Sequence, residues 1–383
     1  MARMTPAASH GGQPIPADRP PPRRLVRWGV RLAIAILWLA VVGLGLEVLA
    51  WYRCEYQPRR NPWVRAQDRQ TERVVGEGSA QGLWDIPWKR YRTNAVLRRE
   101  FGGIPYEVRT NSRGWRSPEV AVPKPAGVFR IACIGGSTTV EGVTNETTYP
   151  ARLQAKLAAT YGAGRIEVVN CGVSGVSSFT ELELLPSVLE LQPDLVVHYN
   201  VINDLAWQYA PTMFQLAPAW RRGLCHSRFL RWRCESWCLP PLASLEDYYR
   251  NVQFTHYRQF VAACRQANCE VVFCTFATPN PDRLDPTTRE YLDWNSRSVW
   301  GGGLASFATL RQWILLYNRR LQEFGRQEQV RVLPVAEGLD GGMETFTDLC
   351  HLKPSGIDAK AELIARQLAP SLESRLKPVP PGP

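Results

Sequence analysis

The chain reads as an α/β protein, a three-layer α/β/α sandwich on a doubly wound parallel sheet. Three observations predict this. Short runs that are apolar throughout alternate with longer amphipathic runs, as a parallel sheet covered on both faces requires. Glycine-rich or polar turn motifs follow the apolar runs. The 383 residues, 45% hydrophobic and 21% charged, supply one sizeable core with decorations.

The elements follow in order. FRIACI (129–134) is the first strand, followed by a helix over 147–160. IEVVN (166–170) is the second, followed by a helix over 179–191, and DLVVHYN (194–200) is the third. After an insertion come a helix over 245–267, the strand EVVFCTF (270–276), a helix over 305–324, the strand VRVLPV (330–335) and a last helix over 354–372. The α/β unit is thus expected over 125–375, with the insertion over 206–242. A short proline-rich tail over 376–383 closes the chain.

The N-terminus is different. Residues 1–25 are basic and proline-rich and read as a disordered tail. An uncharged run over 32–46 follows Arg23, Arg24, Arg27 and Arg31; with its apolar flanks it forms a stretch over 26–52 that reaches the roughly 20 residues a transmembrane helix needs. Glu47, Trp51 and Tyr52 suit an interfacial end, so an uncleaved anchor is expected, with a cleaved signal peptide ending near Val48, Leu49, Ala50 as the rival. Arginines flank both sides; the working orientation leaves the N-terminus inside and the large domain exported. Residues 53–124 read as a juxtamembrane linker and irregular lead-in, ending in the turn-forming NSRGWRSPE (111–119). Arg116 there is read as packing, with a reach into the cleft as the lesser alternative.

The net charge of +11 is concentrated near the N-terminus and over 221–233, which suits an anionic lipid or polymer surface, or simple solvation. Zinc-finger spacing, an RNA-recognition aromatic pattern and a glycine-lysine phosphate loop are missing from the sequence, so nucleic acid is not expected as a partner. Of ten cysteines, Cys133, Cys171 and Cys274 fall in apolar runs and read as buried thiols. Cys225, Cys234 and Cys238 cluster in the insertion and could form a disulfide in an oxidising compartment. With His226 they match no standard zinc spacing. Neither a metal nor a cofactor is expected.

Four motifs fall at the carboxyl ends of strands, the edge where doubly wound sheets gather ligands. Ser137 follows the first strand in IGGSTT, and Gly175 follows the second in NCGVSG (170–175). Asn203 follows the third in VINDL (201–205), and Asp348 with His351 follows the fifth in DLCH (348–351). A hydroxyl is a poor nucleophile at neutral pH and needs a base, a group that orients the base, and donors for the oxyanion. These residues have the types for all three roles. Each also has a plainer reading: Ser137 in an anion nest, Asp348 as the cap of the last helix, Asn203 and Asp204 as turn residues. His198 reads as a satisfied core residue, and His256 as a helix-face residue with no visible partner.

On these blocks the chain resembles the GDSL or SGNH hydrolase superfamily, in its membrane-anchored bacterial form, over residues 129–372. The first block reads Gly-Gly-Ser-Thr where Gly-Asp-Ser-Leu is usual, and the third Val-Ile-Asn-Asp, with Val201 at the usual glycine. The resemblance implies a flavodoxin-like sheet, Ser137 as nucleophile, His351 as base and Asp348 as its partner. It also implies Gly175, Asn203 and the Ser137 N–H as oxyanion donors. The expected function is a serine esterase acting on carboxylic esters, O-acetyl groups of an envelope glycan or a lipid ester. Two alternatives stand beside it: an O-acyltransferase using the same serine, and a non-catalytic carbohydrate- or anion-binding module. The Trp- and Arg-rich stretch over 218–237 suits a lid, a surface for lipid headgroups or glycan, or a stapled loop without a ligand.

Overall fold

The computed structural model describes residues 23–65, 83–86, 89–101, 104–205, 216–297 and 305–376. The expected tails, apart from residues 23–25 and 376, part of the linker and residues 206–215 of the insertion lie outside it. The chain divides into two compact units, Met1–Leu49 and Ala50–Pro383.

In the first unit runs most of a helix, Arg23–Trp51. Leu39 is 72% exposed and Trp38 66%, and every residue over 26–45 is exposed. A helix apolar all round and long enough to cross a bilayer fits a membrane span, and a signal sequence meets the same test.

The second unit holds a five-stranded sheet, with strands β5 (Phe129–Gly135), β6 (Ile166–Asn170), β7 (Leu195–Tyr199), β8 (Glu270–Cys274) and β9 (Arg331–Leu333). Their order is β6-β5-β7-β8-β9, all parallel. Every residue of β5 and β7 is buried, as strands covered on both faces must be. Helix Tyr149–Tyr161 packs on the last helix, Pro354–Glu373, while Ser178–Leu189 packs on Phe254–Gln266. Tyr257 and Tyr249 in turn bond Tyr317 and the Trp313 carbonyl of Phe307–Glu328. Two helical layers and the sheet between them make the expected sandwich. The order reverses between β6 and β7, on either side of β5, which opens a crevice at the carboxyl end of β5.

Two expectations change. The helix expected over 245–267 is interrupted by a π-turn, Tyr249–Gln253, between Leu242–Tyr248 and Phe254–Gln266. The lead-in is not irregular: β1 (Trp84–Ile86) pairs with β2 (Arg90–Tyr91), and β3 (Val96–Phe101) pairs with β4 (Ile104–Arg109), both antiparallel. Among the described side chains of these strands, Tyr91, Tyr106 and Val108 are buried while Arg98 and Glu107 pair with each other, so the alternating apolar signal is short and broken by charge. Helix Pro286–Asn295 and the three short insertion helices, Ala219–Leu224, Arg228–Arg233 and Glu235–Cys238, also went unread.

Candidate active site

β5 ends at Gly135, and Ser137 opens the four-residue helix Ser137–Val140. Gly136 between them permits a close approach: a Cβ at this position would sit 2.5 Å from Asn203 Nδ2. The amide of Asn203 therefore lies against the serine turn. Val201 is fully buried in the core.

The Asp348 and His351 loop meets this turn. Ser137 Oγ lies 2.9 Å from His351 Nε2, and His351 Nδ1 lies 2.7 Å from Asp348 Oδ2. Asp348 Oδ1 accepts the N–H groups of Cys350 at 2.8 Å and His351 at 2.7 Å, which fixes the carboxylate. The capping reading of Asp348 is thereby displaced, since Lys353 occupies the N-cap of the last helix. Asp348 and His351 are fully buried and Ser137 is 3% exposed. Burial disfavours both charged forms, yet mutual attraction and hydrogen bonding win: His351 is raised above its ordinary value, and Asp348 is held below the usual carboxylate range. An imidazole so placed takes a hydroxyl proton at one nitrogen while the carboxylate steadies the charge at the other.

Asp348, Cys350 and His351 bring potential metal ligands within 4.8 Å of one another. His351 Nδ1 and Asp348 Oδ2 bond each other instead, and burial pushes the Cys350 thiol well above its ordinary value. Cys225, Cys234, Cys238 and His226 do not gather to ligating distance.

The oxyanion candidates are Gly175, Asn203 and the Ser137 N–H. Gly175 has φ of +79°, a left-handed conformation that side chains rarely adopt. Asn203 Nδ2 donates to the Val176 carbonyl at 2.8 Å, which occupies one amide hydrogen and leaves the second. Among the described residues, the N–H groups of Ser137 and Gly175 carry no hydrogen bond. Tyr91, from the lead-in, accepts the Ser174 N–H at 2.9 Å and so pins the glycine turn. Asn170 donates to the Thr139 carbonyl at 3.2 Å, joining that turn to the serine helix.

Asp204 does more than end a turn. It accepts the Ser178 N–H at 3.0 Å and the Ser178 hydroxyl at 2.7 Å, stapling the Asn203 segment to the helix that follows Gly175. Burial, opposed by those bonds, lifts its carboxyl to about 7. His256 has the partner the sequence did not reveal, Ser178 Oγ at 3.0 Å. His198 is only half satisfied: Nε2 bonds Glu181 at 2.8 Å, and Nδ1 has no partner. Arg116 is buried and donates to the carbonyls of Val140, Gly142 and Glu107, which makes it packing.

A doubly wound sheet with a serine, a histidine and an aspartate in one hydrogen-bonded line at its carboxyl edge defines the serine-hydrolase class of site. The GDSL-like lipase/acylhydrolase family model matches residues 133–359, more than half of the chain. The chain belongs to that family and is an ester hydrolase. Its structure is similar to that of a lipase/acylhydrolase from Enterococcus faecalis, at 15% identity and a TM-score of 0.42, over 66% of this chain and 100% of that one. A GDSL-like lipase from Bacteroides thetaiotaomicron is similar at 16% and 0.37, over 63% and 88%. A catalytic mutant of an acetylxylan esterase from Geobacillus stearothermophilus is similar at 17% and 0.41, over 63% and 94%. Among curated proteins none matches the chain.

Proposed function

We propose that this ester hydrolase works through Ser137, His351 and Asp348. It would remove acyl groups, O-acetyl from an envelope glycan or an acyl chain from a lipid, at the outer face of the membrane. Ser137 Oγ attacks the ester carbonyl carbon as His351 Nε2 takes the hydroxyl proton. The resulting oxyanion accepts from the N–H groups of Ser137 and Gly175 and from the remaining amide hydrogen of Asn203. His351 passes the proton to the leaving alkoxide, and water then repeats the cycle to free the acid. The observation that carries this reading is the unbroken line from Ser137 Oγ through His351 to Asp348, with separations of 2.9 and 2.7 Å.

The choice of envelope substrate is supported by the apolar N-terminal helix and by Trp220 and Trp237, which stand 61% and 56% exposed on the arginine-rich insertion. Indole rings beside guanidinium groups suit headgroup or sugar surfaces. The test uses the full chain in detergent. p-Nitrophenyl acetate is expected to be turned over, and Ser137→Ala to lower kcat by at least about 10³-fold. Acetate or fatty acid should then be released from isolated envelope material. Turnover that appears only with a sugar acceptor would replace hydrolysis by acyl transfer, and a Ser137→Ala variant with full activity would end the proposal.

A further inference from the structure

A buried pair of charges stands outside the reaction. Glu141, four residues after Ser137, and Lys360, on the last helix, are both fully buried, with Nζ 2.5 Å from Oε1. Taking two charges out of water is costly, and apolar side chains of similar volume often hold a core as well or better. Stability therefore gives little reason for the pair. Its other bonds give one.

Glu141 Oε2 accepts the N–H of Leu352 at 2.8 Å, and Lys360 Nζ donates to the carbonyl of Thr138 at 2.7 Å. Thr138 follows Ser137 and Leu352 follows His351. The ammonium also lies 4.4 Å from the Tyr149 ring centre and 4.6 Å from that of Tyr199, which fixes its position. One ion pair thus grips the backbone one residue beyond each of the two side chains that must meet, in segments more than 200 positions apart. An apolar pair could make neither bond.

We propose that Glu141 and Lys360 are positioning residues that set the distance between Ser137 Oγ and His351 Nε2, by clamping the serine helix and the histidine loop to one buried ion pair. The proposal rests on the reading of Ser137 and His351 as nucleophile and base. Both charges are needed for a second reason. Glu141 favours the imidazolium form of His351 and Lys360 opposes it, so the two charges of the pair act on the base in opposite directions. The other titratable groups around the pair are Cys350, Cys274, Cys133, Tyr149 and Tyr199.

The experiment compares the full-length protein in detergent with Glu141→Gln, with the apolar double variant Glu141→Met/Lys360→Met, and with Ser137→Ala. It measures kcat and KM for p-nitrophenyl acetate and the rate of fluorophosphonate labelling, with thermal unfolding as the check on folding. A misplacement of about 1 Å at a reacting centre costs about 10²-fold. The account therefore expects kcat and the labelling rate to fall about 10- to 100-fold in both pair variants, with KM within about twofold of wild type. A folded variant of either kind that keeps wild-type kcat, while Ser137→Ala is inactive, overturns the proposal. Loss of folding in Glu141→Gln, the change that preserves shape, overturns it too, because the pair would then be a structural element only. Turnover by Ser137→Ala would instead remove the nucleophile assignment.

Discussion

His351 has its charge set by what surrounds it. Burial alone would lower its pKa, yet the carboxylate of Asp348 at 2.7 Å outweighs that and raises it above its ordinary value of 6.5. The base acts only when neutral, so kcat/KM is expected to fall as pH drops through a midpoint above 6.5. Asp348→Asn removes the charge that favours the imidazolium. Its midpoint should move to lower pH and its kcat fall on the order of 10⁴-fold, which a pH series on both proteins measures. An unchanged midpoint would mean that another group governs the limb. Asn203→Ala should lower kcat about 10²- to 10³-fold with little change in KM, since the amide meets the oxyanion only as it forms. These residues were legible in the sequence because each follows a strand, and strands that are apolar throughout are easy to find. Glu141 and Lys360 were not. One reads as a loop acid and the other as the wet side of an amphipathic helix, and only the approach of distant segments buries both.

Elements hold the loops of the site in place. Asp204 links the turn after β7 to the start of helix Ser178–Leu189, and Tyr91 links β2 to the glycine turn. Because burial lifts Asp204 to about 7 from 3.8, the fold prefers its protonated form. The stability this contributes is present below the unfolded value and is lost as pH rises through the folded one. Asp204→Asn keeps an acceptor for Ser178 without titrating. Its melting temperature relative to wild type should therefore rise by several degrees between pH 4 and 8, as read by differential scanning fluorimetry, and a constant difference would contradict the assignment. The five sheet strands and the helices Tyr149–Tyr161, Ser178–Leu189, Phe307–Glu328 and Pro354–Glu373 were readable to within a few residues. The hairpins were not, since β3 and β4 are short and carry Arg98, Arg99, Glu100, Glu107 and Arg109 among their apolar residues. The π-turn at Tyr249–Gln253 has no sequence signature that periodicity would catch.

At the scale of the molecule, a hydrolase unit follows a helix that is apolar and exposed over 26–45. If that helix stays in the bilayer, the full-length protein should sediment with membranes and resist alkaline carbonate, and a version lacking residues 1–52 should not. A soluble product beginning at residue 51 would make the helix a signal sequence. The overall architecture was legible because hydrophobic periodicity and the placement of turn motifs agreed with each other. The insertion was not, because its short helices are held by local contacts such as Arg221 to the Ser236 and Leu239 carbonyls, which leave no periodic apolar pattern. The central claim is that residues gathered from four strand ends act as one machine. It is tested most directly by fluorophosphonate labelling of the full chain followed by mass-spectrometric peptide mapping. The account predicts a single phosphonylated residue, Ser137, with labelling lost in His351→Ala. A label on another residue, or none on a protein that still hydrolyses esters, would contradict it.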